Sequence, residues 1–125
     1  MLDDGAPIFS QVAEHLVQEI ADGAMAEEER VPSSNELAAY YRINPATAAK
    51  GINVLIESGL LEKRRGIGMF VATGARGRLL EDRRNRFTER YVEPMVAEAD
   101  RLGIDADTLA NLIRQASHAK GGIKV

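Results

Sequence analysis

The 125-residue chain is 45% hydrophobic, 5% aromatic and formally −3 in charge, which allows one ordinary domain, or a small domain plus an appendage. Cysteine is absent, which excludes disulfides and thiolate metal sites, and no run of about eighteen apolar residues offers a membrane span. The acidic start Met1-Leu2-Asp3-Asp4 lacks the layout of a secretion signal, so a soluble, cytoplasmic protein is expected.

Residues 1–6 are expected to be disordered. Pro7 then opens a first helix to about Asp22, in which Ile8, Val12, Leu16 and Ile20 recur at four-residue spacing beside Phe9, Ala13 and Val17. Gly23 ends it, and Ala26–Arg30 reads as a charged loop. Pro32-Ser33-Ser34-Asn35-Glu36 carries a capping box, with Ser33 at the N-cap and Glu36 three residues on. Leu37, Ala38 and Tyr41 are the buried positions of this short second helix. After the turn Tyr41-Arg42-Ile43, Asn44 caps a third helix and Pro45 takes its first position; Gly59 closes it. Its inner residues are Ala48, Ile52, Leu55 and Ile56; Ala46, Thr47, Lys50 and Asn53 face outward. Gly51 costs about 1 kcal/mol against Ala in a helix interior. A close approach to the preceding helix would account for it.

Leu60–Arg64 and Met69–Val71 read as short strands joined by Arg65-Gly66-Ile67-Gly68. Three helices and this hairpin form a winged helix-turn-helix, taken as residues 1–74. Thr73–Gly77 reads as a linker. Residues 75–125 then form a two-helix arm. Its first helix, about Arg78 to Leu102, carries the stripe Leu80, Phe87, Tyr91, Met95, Ala99 and Leu102, with a kink or a break expected near Tyr91 because Pro94 lies inside it. Gly103 stops that helix. Asp105 can cap a final one to about Ser117, with Leu109, Leu112, Ile113 and Ala116 on one face, and residues 121–125 are a fraying tail. Two helices cannot enclose a core, so the stripe is expected to pair with a second copy in a two-fold dimer. The fold class is mainly α with a small β-hairpin.

The net charge conceals an asymmetry. Residues 1–29 hold eight acids and no Lys or Arg, residues 30–78 hold eight bases against three acids, and residues 79–125 hold eight of each. The positive field therefore sits on the helix-turn-helix and wing, where a phosphate backbone would be met. Thr47 and Lys50 are placed to contact DNA from a helix in the major groove, Lys63-Arg64-Arg65-Gly66 from the wing, and Arg42 as a phosphate clamp. His15 and His118 have no partners at ligand spacing, so no metal or cofactor is expected. No nucleophile–base–orienter set supports catalysis.

The chain resembles the GntR family of bacterial transcriptional regulators. The residues carrying the resemblance are Pro7-Ile8-Phe9, Gln11-Val12, Gly23, Pro32-Ser33, Glu36-Leu37-Ala38, Thr47, Leu55, Gly59-Leu60-Leu61 and Arg64-x-Gly66-x-Gly68-Met69-Phe70-Val71. The short arm is similar to that of the YtrA-type branch, whose members lack a large effector domain and dimerise through the segment after the wing. The resemblance implies a DNA-binding regulator. Asn35 and Pro45 depart from it, each standing where the family commonly has an Arg. Asn35 and Asn44 are then candidates to read adenine, and Ala46 to touch a thymine methyl.

The expected function is a dimeric repressor on a palindromic operator, using the recognition helix (about 44–58) and wing (62–70). Its DNA-facing residues are Asn35, Arg42, Asn44, Thr47, Lys50, Arg64, Arg65 and Gly66. Its dimer-forming residues are Leu80, Phe87, Tyr91, Met95, Leu102, Leu109, Leu112 and Ile113. Two other classes are a winged helix used for protein contact and an effector-gated sensor with a ligand site at the dimer seam.

Overall fold

The computed structural model describes Leu2 and residues 5–119. Its elements are α1 (Ile8–Asp22), β1 (Arg30–Val31), α2 (Ser34–Tyr41), α3 (Pro45–Glu57), β2 (Leu61–Arg64), β3 (Gly68–Val71), α4 (Ala75–Phe87), a π-helical segment (Thr88–Val92), α5 (Glu93–Arg101) and α6 (Ala106–Ala119). The mainly helical class with a small sheet is as expected. Two compact units divide the chain, Met1–Asp82 and Arg83–Val125.

In the first unit α1 buries Val12, Leu16 and Ile20 of the stripe read from the sequence, with Ala13 beside them and Ile8 half-buried, and ends on Gly23 at φ +82°. These residues share a core with Leu37, Ala48, Ile52, Leu55, Leu61 and Val71. Each such Val, Leu or Ile contributes about 1.5–3 kcal/mol relative to leaving it in water. Leu2 packs partly buried against this core, and the Ala6 carbonyl accepts from Gln11 Nε2 at 2.8 Å. The expected disorder of residues 1–6 is therefore not met at those two positions. Met1, Asp3, Asp4 and the tail 121–125 lie outside the described residues.

The capping box forms. Glu36 N–H donates to Ser33 Oγ and Ser33 N–H to Glu36 Oε1, both at 3.1 Å. The Ser33 backbone N–H first and its hydroxyl second hold the Glu36 carboxyl below its ordinary pKa, since a hydrogen bond donated to the carboxylate favours the ionised form. At the head of α3, Ala46 N–H donates to Asn44 Oδ1 at 2.7 Å and Pro45 occupies the first turn. Between α2 and α3, Arg42 is left-handed at φ +58° and its N–H bonds Ala38 O.

Three expectations change. The hairpin gains a third strand: the antiparallel sheet runs β1-β3-β2, with Arg30 opposite Phe70 and Val31 opposite Met69. Val31 is 1% exposed, so burial and two ladder positions make a strand of what reads as the end of a charged loop. The linker is shorter than its glycines suggest. Ala75, fully buried in the core, starts α4 and places Gly77 inside a helix. Arg76 Nε donates to Ala21 O at 2.9 Å and Arg78 Nη2 donates to Gly59 O, fastening that first turn to the unit. Finally, Gly51 answers to α1 rather than α2. A Cβ at this position would stand 2.9 Å from the Phe9 carbonyl oxygen and 3.1 Å from Val12 Cβ.

In the second unit the helix changes form before Pro94, through a π-helical segment rather than a break. The helix widens just before the proline, Glu93 N–H reaching back five residues to Thr88 O across the π segment. The wider turn accommodates a residue that has no N–H and whose ring would crowd the carbonyl one turn earlier. Gly103 at φ +71° ends the helix, Ile104 N–H bonds Ala99 O at 2.8 Å, and Asp105 Oδ1 accepts from Thr108 N–H at 2.8 Å to cap α6.

Substituting Gly51→Ala would gain about 1 kcal/mol of helix propensity but forces a methyl group against the Phe9 carbonyl and the Val12 side chain, and overpacking of this kind costs ~1–3 kcal/mol. A melting temperature several degrees below wild type is expected by circular dichroism. An unchanged or higher value would mean α1 and α3 yield freely at this point.

Candidate nucleic-acid interface

Ser33 and Asn44 fix where α2 and α3 begin, and the Gly51 contact fixes which face of α3 turns outward. That face carries Ala46, Lys50 and Asn53, all exposed, with Thr47 half-buried at its edge. Lys50 does not float free. Its ammonium lies 4.1 Å from the centroid of the Phe9 ring on α1, so its stem is guided along the α1–α3 seam while its charge stays in water. Asn35 and Arg42 are exposed, one near the start of α2 and the other in the turn. Asn44 is exposed too, but its Oδ1 is engaged by Ala46 N–H, leaving the amide NH₂ as its outward donor.

The wing places Arg65 and Gly66 at its exposed tip, Gly66 left-handed at φ +76°. In the register of β2 and β3, Leu61 lies opposite Val71 and Lys63 opposite Met69, with Leu61 and Val71 buried. Lys63 therefore lies on the face that β2 turns toward the core, whereas Glu62 and Arg64 lie on the other. Between α3 and the wing is an open cleft of about 620 Å³. Ser34, Ala49, Asn53, Lys63, Arg64 and Gly66 are among the residues that line it. Ser34 and Ala49 had no sequence signal as site residues; the packing of α2 and the wing against α3 brings them there.

Arg64 differs from its basic neighbours. Its Nη2 donates to Glu28 Oε2, and its guanidinium lies 4.2 Å from the Phe70 ring centroid. Arg30, also part of the basic field, lies across Gly68, its Nε 3.0 Å from where a Cβ would be. So Asn35, Arg42, Asn44, Thr47, Lys50, Arg65 and Gly66 present polar groups or backbone on the surface of the first unit, and Arg64 is already paired.

The residues expected to dimerise fall into two groups. Leu80 belongs to the first unit, half-buried beside Gly23 and Met25. In the second unit Phe87, Tyr91, Met95, Leu102, Leu112 and Ile113 are all exposed, while Leu109 is half-buried. The Phe87 and Tyr91 rings are 5.5 Å apart, which makes one aromatic patch. Among the described residues no group of His, Asp and Glu could hold a metal ion, and no helix is long and apolar enough to cross a membrane.

Known proteins match this arrangement. The HTH-type transcriptional repressor YtrA of Bacillus subtilis is 28% identical over 119 residues, covering 94% of this chain and 91% of that protein. A transcriptional regulator from Oenococcus oeni superposes with a TM-score of 0.79 at 21% identity over 93% of this chain and 95% of that one, a likeness of fold. AraR(DBD), solved in complex with operator ORR3, matches 58% of this chain and 87% of that one with a TM-score of 0.53 and 30% identity. The family model for bacterial regulatory proteins of the gntR family spans residues 9–71, from α1 through β3. The chain belongs to the gntR family of bacterial regulatory proteins.

Proposed function

We propose that this chain is a cytoplasmic, homodimeric repressor that binds a palindromic operator in double-stranded DNA. The observation that carries the reading is the outward face of α3 beside a basic wing. That face lies in a unit of family-typical fold, and it holds polar side chains of the kinds that meet base edges and phosphates. AraR(DBD), a relative of this unit, is seen on operator DNA, and YtrA is a repressor.

In this reading α3 enters the major groove. Thr47, Asn35 and the Asn44 amide meet base edges, with Ala46 against a thymine methyl. Lys50, Arg42 and Arg65 meet phosphates, and Gly66 lets the wing tip approach the backbone closely. With no Arg at residues 35 and 45, a bidentate Arg–guanine contact has no donor there. The exposed patch of Phe87, Tyr91, Met95, Leu102, Leu112 and Ile113 supplies the dimer surface. Aromatic residues and Met are the types enriched in such interfaces. Two-fold pairing would set two recognition helices on successive grooves.

Thr47→Ala should weaken binding to a duplex selected from random sequence about ten-fold, consistent with a loss of ~1–3 kcal/mol per specific contact, and leave scrambled DNA almost unaffected. Equal losses on both, read by fluorescence anisotropy, would remove Thr47 from base readout. Phe87→Asp with Tyr91→Asp should convert the protein from two chains to one in sedimentation equilibrium while the circular dichroism spectrum is kept. A double variant that stays dimeric would place the interface elsewhere.

A further inference from the structure

Among the described residues two outside glycine have positive φ: Arg42 in the helix-turn-helix, and Glu28 at +67° in the loop before β1. A left-handed non-glycine residue costs about 1–3 kcal/mol, and it persists only where its surroundings hold it. Glu28 is held on both sides. Its N–H donates to Val71 O at 2.8 Å, and Val71 N–H returns to Glu29 O at 3.0 Å, so the loop is strapped to the end of β3. Its carboxylate then reaches two parts of the wing unit distant in sequence: Oε1 accepts from Thr73 Oγ1 and Oε2 from Arg64 Nη2. Arg64 in turn lies over Phe70, on the face of the sheet opposite buried Leu61 and Val71. The Thr73 hydroxyl first and Arg64 second hold the Glu28 carboxyl below its ordinary pKa, so it is ionised wherever DNA is bound.

We infer that Glu28 is a positioning residue for DNA binding. It clamps Arg64 onto Phe70 and so sets the pose of the wing. Arg64 is a structural cation, and phosphate contact falls to Lys63 and Arg65 on either side of it. The side chains of β2 alternate in support of this. Arg64 shares a face with Glu62, 3.8 Å away, and with Phe70, whereas Lys63 lies on the opposite face; both border the cleft beside α3. A guanidinium set over a ring and bonded to a carboxylate has one of its planar faces and one edge occupied. The strained backbone at Glu28 places the carboxylate where it spans the strand β2 and the residue Thr73 beyond β3, binding both arms of the hairpin to one point.

The inference rests on the DNA-binding reading, so its test has an arm that uses no DNA. In the free full-length protein, Glu28→Gln should speed hydrogen exchange of the wing amides from Arg64 to Gly68 at least three-fold while α1 and α3 are unchanged. Unchanged wing exchange would overturn the clamp whether or not the protein binds DNA. On the selected duplex across a salt series, Glu28→Gln and Arg64→Ala should each weaken binding about three- to ten-fold. The double variant should be no weaker than either, since both remove one interaction. The slope of log affinity against log salt should stay unchanged in Arg64→Ala and flatten by about one unit in Lys63→Ala or Arg65→Ala. Glu28→Gly takes the left-handed backbone without strain, so it should match Glu28→Gln in binding even if another substitution harms folding. A slope that flattens by about one unit in Arg64→Ala would make Arg64 a phosphate contact. Tighter binding by Glu28→Gln would make Glu28 only a repulsive charge. Either result overturns the inference.

Discussion

Helices α1 and α3 meet at Gly51, and the presentation of the recognition surface depends on that contact. The Phe9 carbonyl on α1 and the Val12 side chain leave no room for even a methyl group there. Two helices meeting at that range can neither rotate nor slide without a clash, because the interior around them is close-packed. The outward azimuth of Thr47, Lys50 and Asn53 on α3 is the consequence. Phe9 serves twice, its carbonyl setting the limit of approach and its ring seating Lys50. The capped starts of α2 and α3 add the second constraint, where along the chain the turn of Arg42 and Ile43 falls. A family-wide scaffold thus becomes a particular surface through a few contacts made largely beneath it.

The charge pattern works on a different scale. Eight acids before residue 30 give the chain its negative total, yet one of them, Glu28, lies against the basic wing. An exposed ion pair alone contributes little to stability, about 0–1 kcal/mol. Its effect here is geometric: a carboxylate with both oxygens engaged orients a guanidinium, and the guanidinium covers Phe70. Counting basic residues therefore overstates how many cations face a DNA backbone. Arg64, Arg76 and Arg78 are each engaged with groups of their own chain.

What the sequence makes legible is local. The capping box at Ser33 and Glu36, Asn44-Pro45, the left-handed Gly59 and the disturbance before Pro94 all depend on residues within one helical turn of each other. Illegible features depend on distant partners. The strand Arg30–Val31 exists because β3 lies beside it, about forty residues on in the chain. Gly77 is helical because Ala75 is buried, against its own propensity. Gly51 reads correctly as a point of close packing but points to the wrong neighbour, because nothing in its own helix says which partner approaches. Arg64 reads as one more wing cation; its counter-ion is separated from it by 36 residues. Of the candidate DNA-facing set, the exposure of Asn35, Lys50, Arg65 and Gly66 can be inferred from helical and strand periodicity. The capping bond that occupies Asn44 can too, since it is local, while its consequence for base reading needs the geometry.

In the proposed function a pair of these chains reads DNA sequence through α3. The most direct measurement is fluorescence anisotropy of the wild-type protein on DNA from upstream of its own gene and on a scrambled duplex of equal length, across a salt series. Tighter binding to the upstream DNA, saturating at two chains per duplex and falling steeply with salt, is the predicted result. Equal affinity for both duplexes, or binding indifferent to salt, would contradict it.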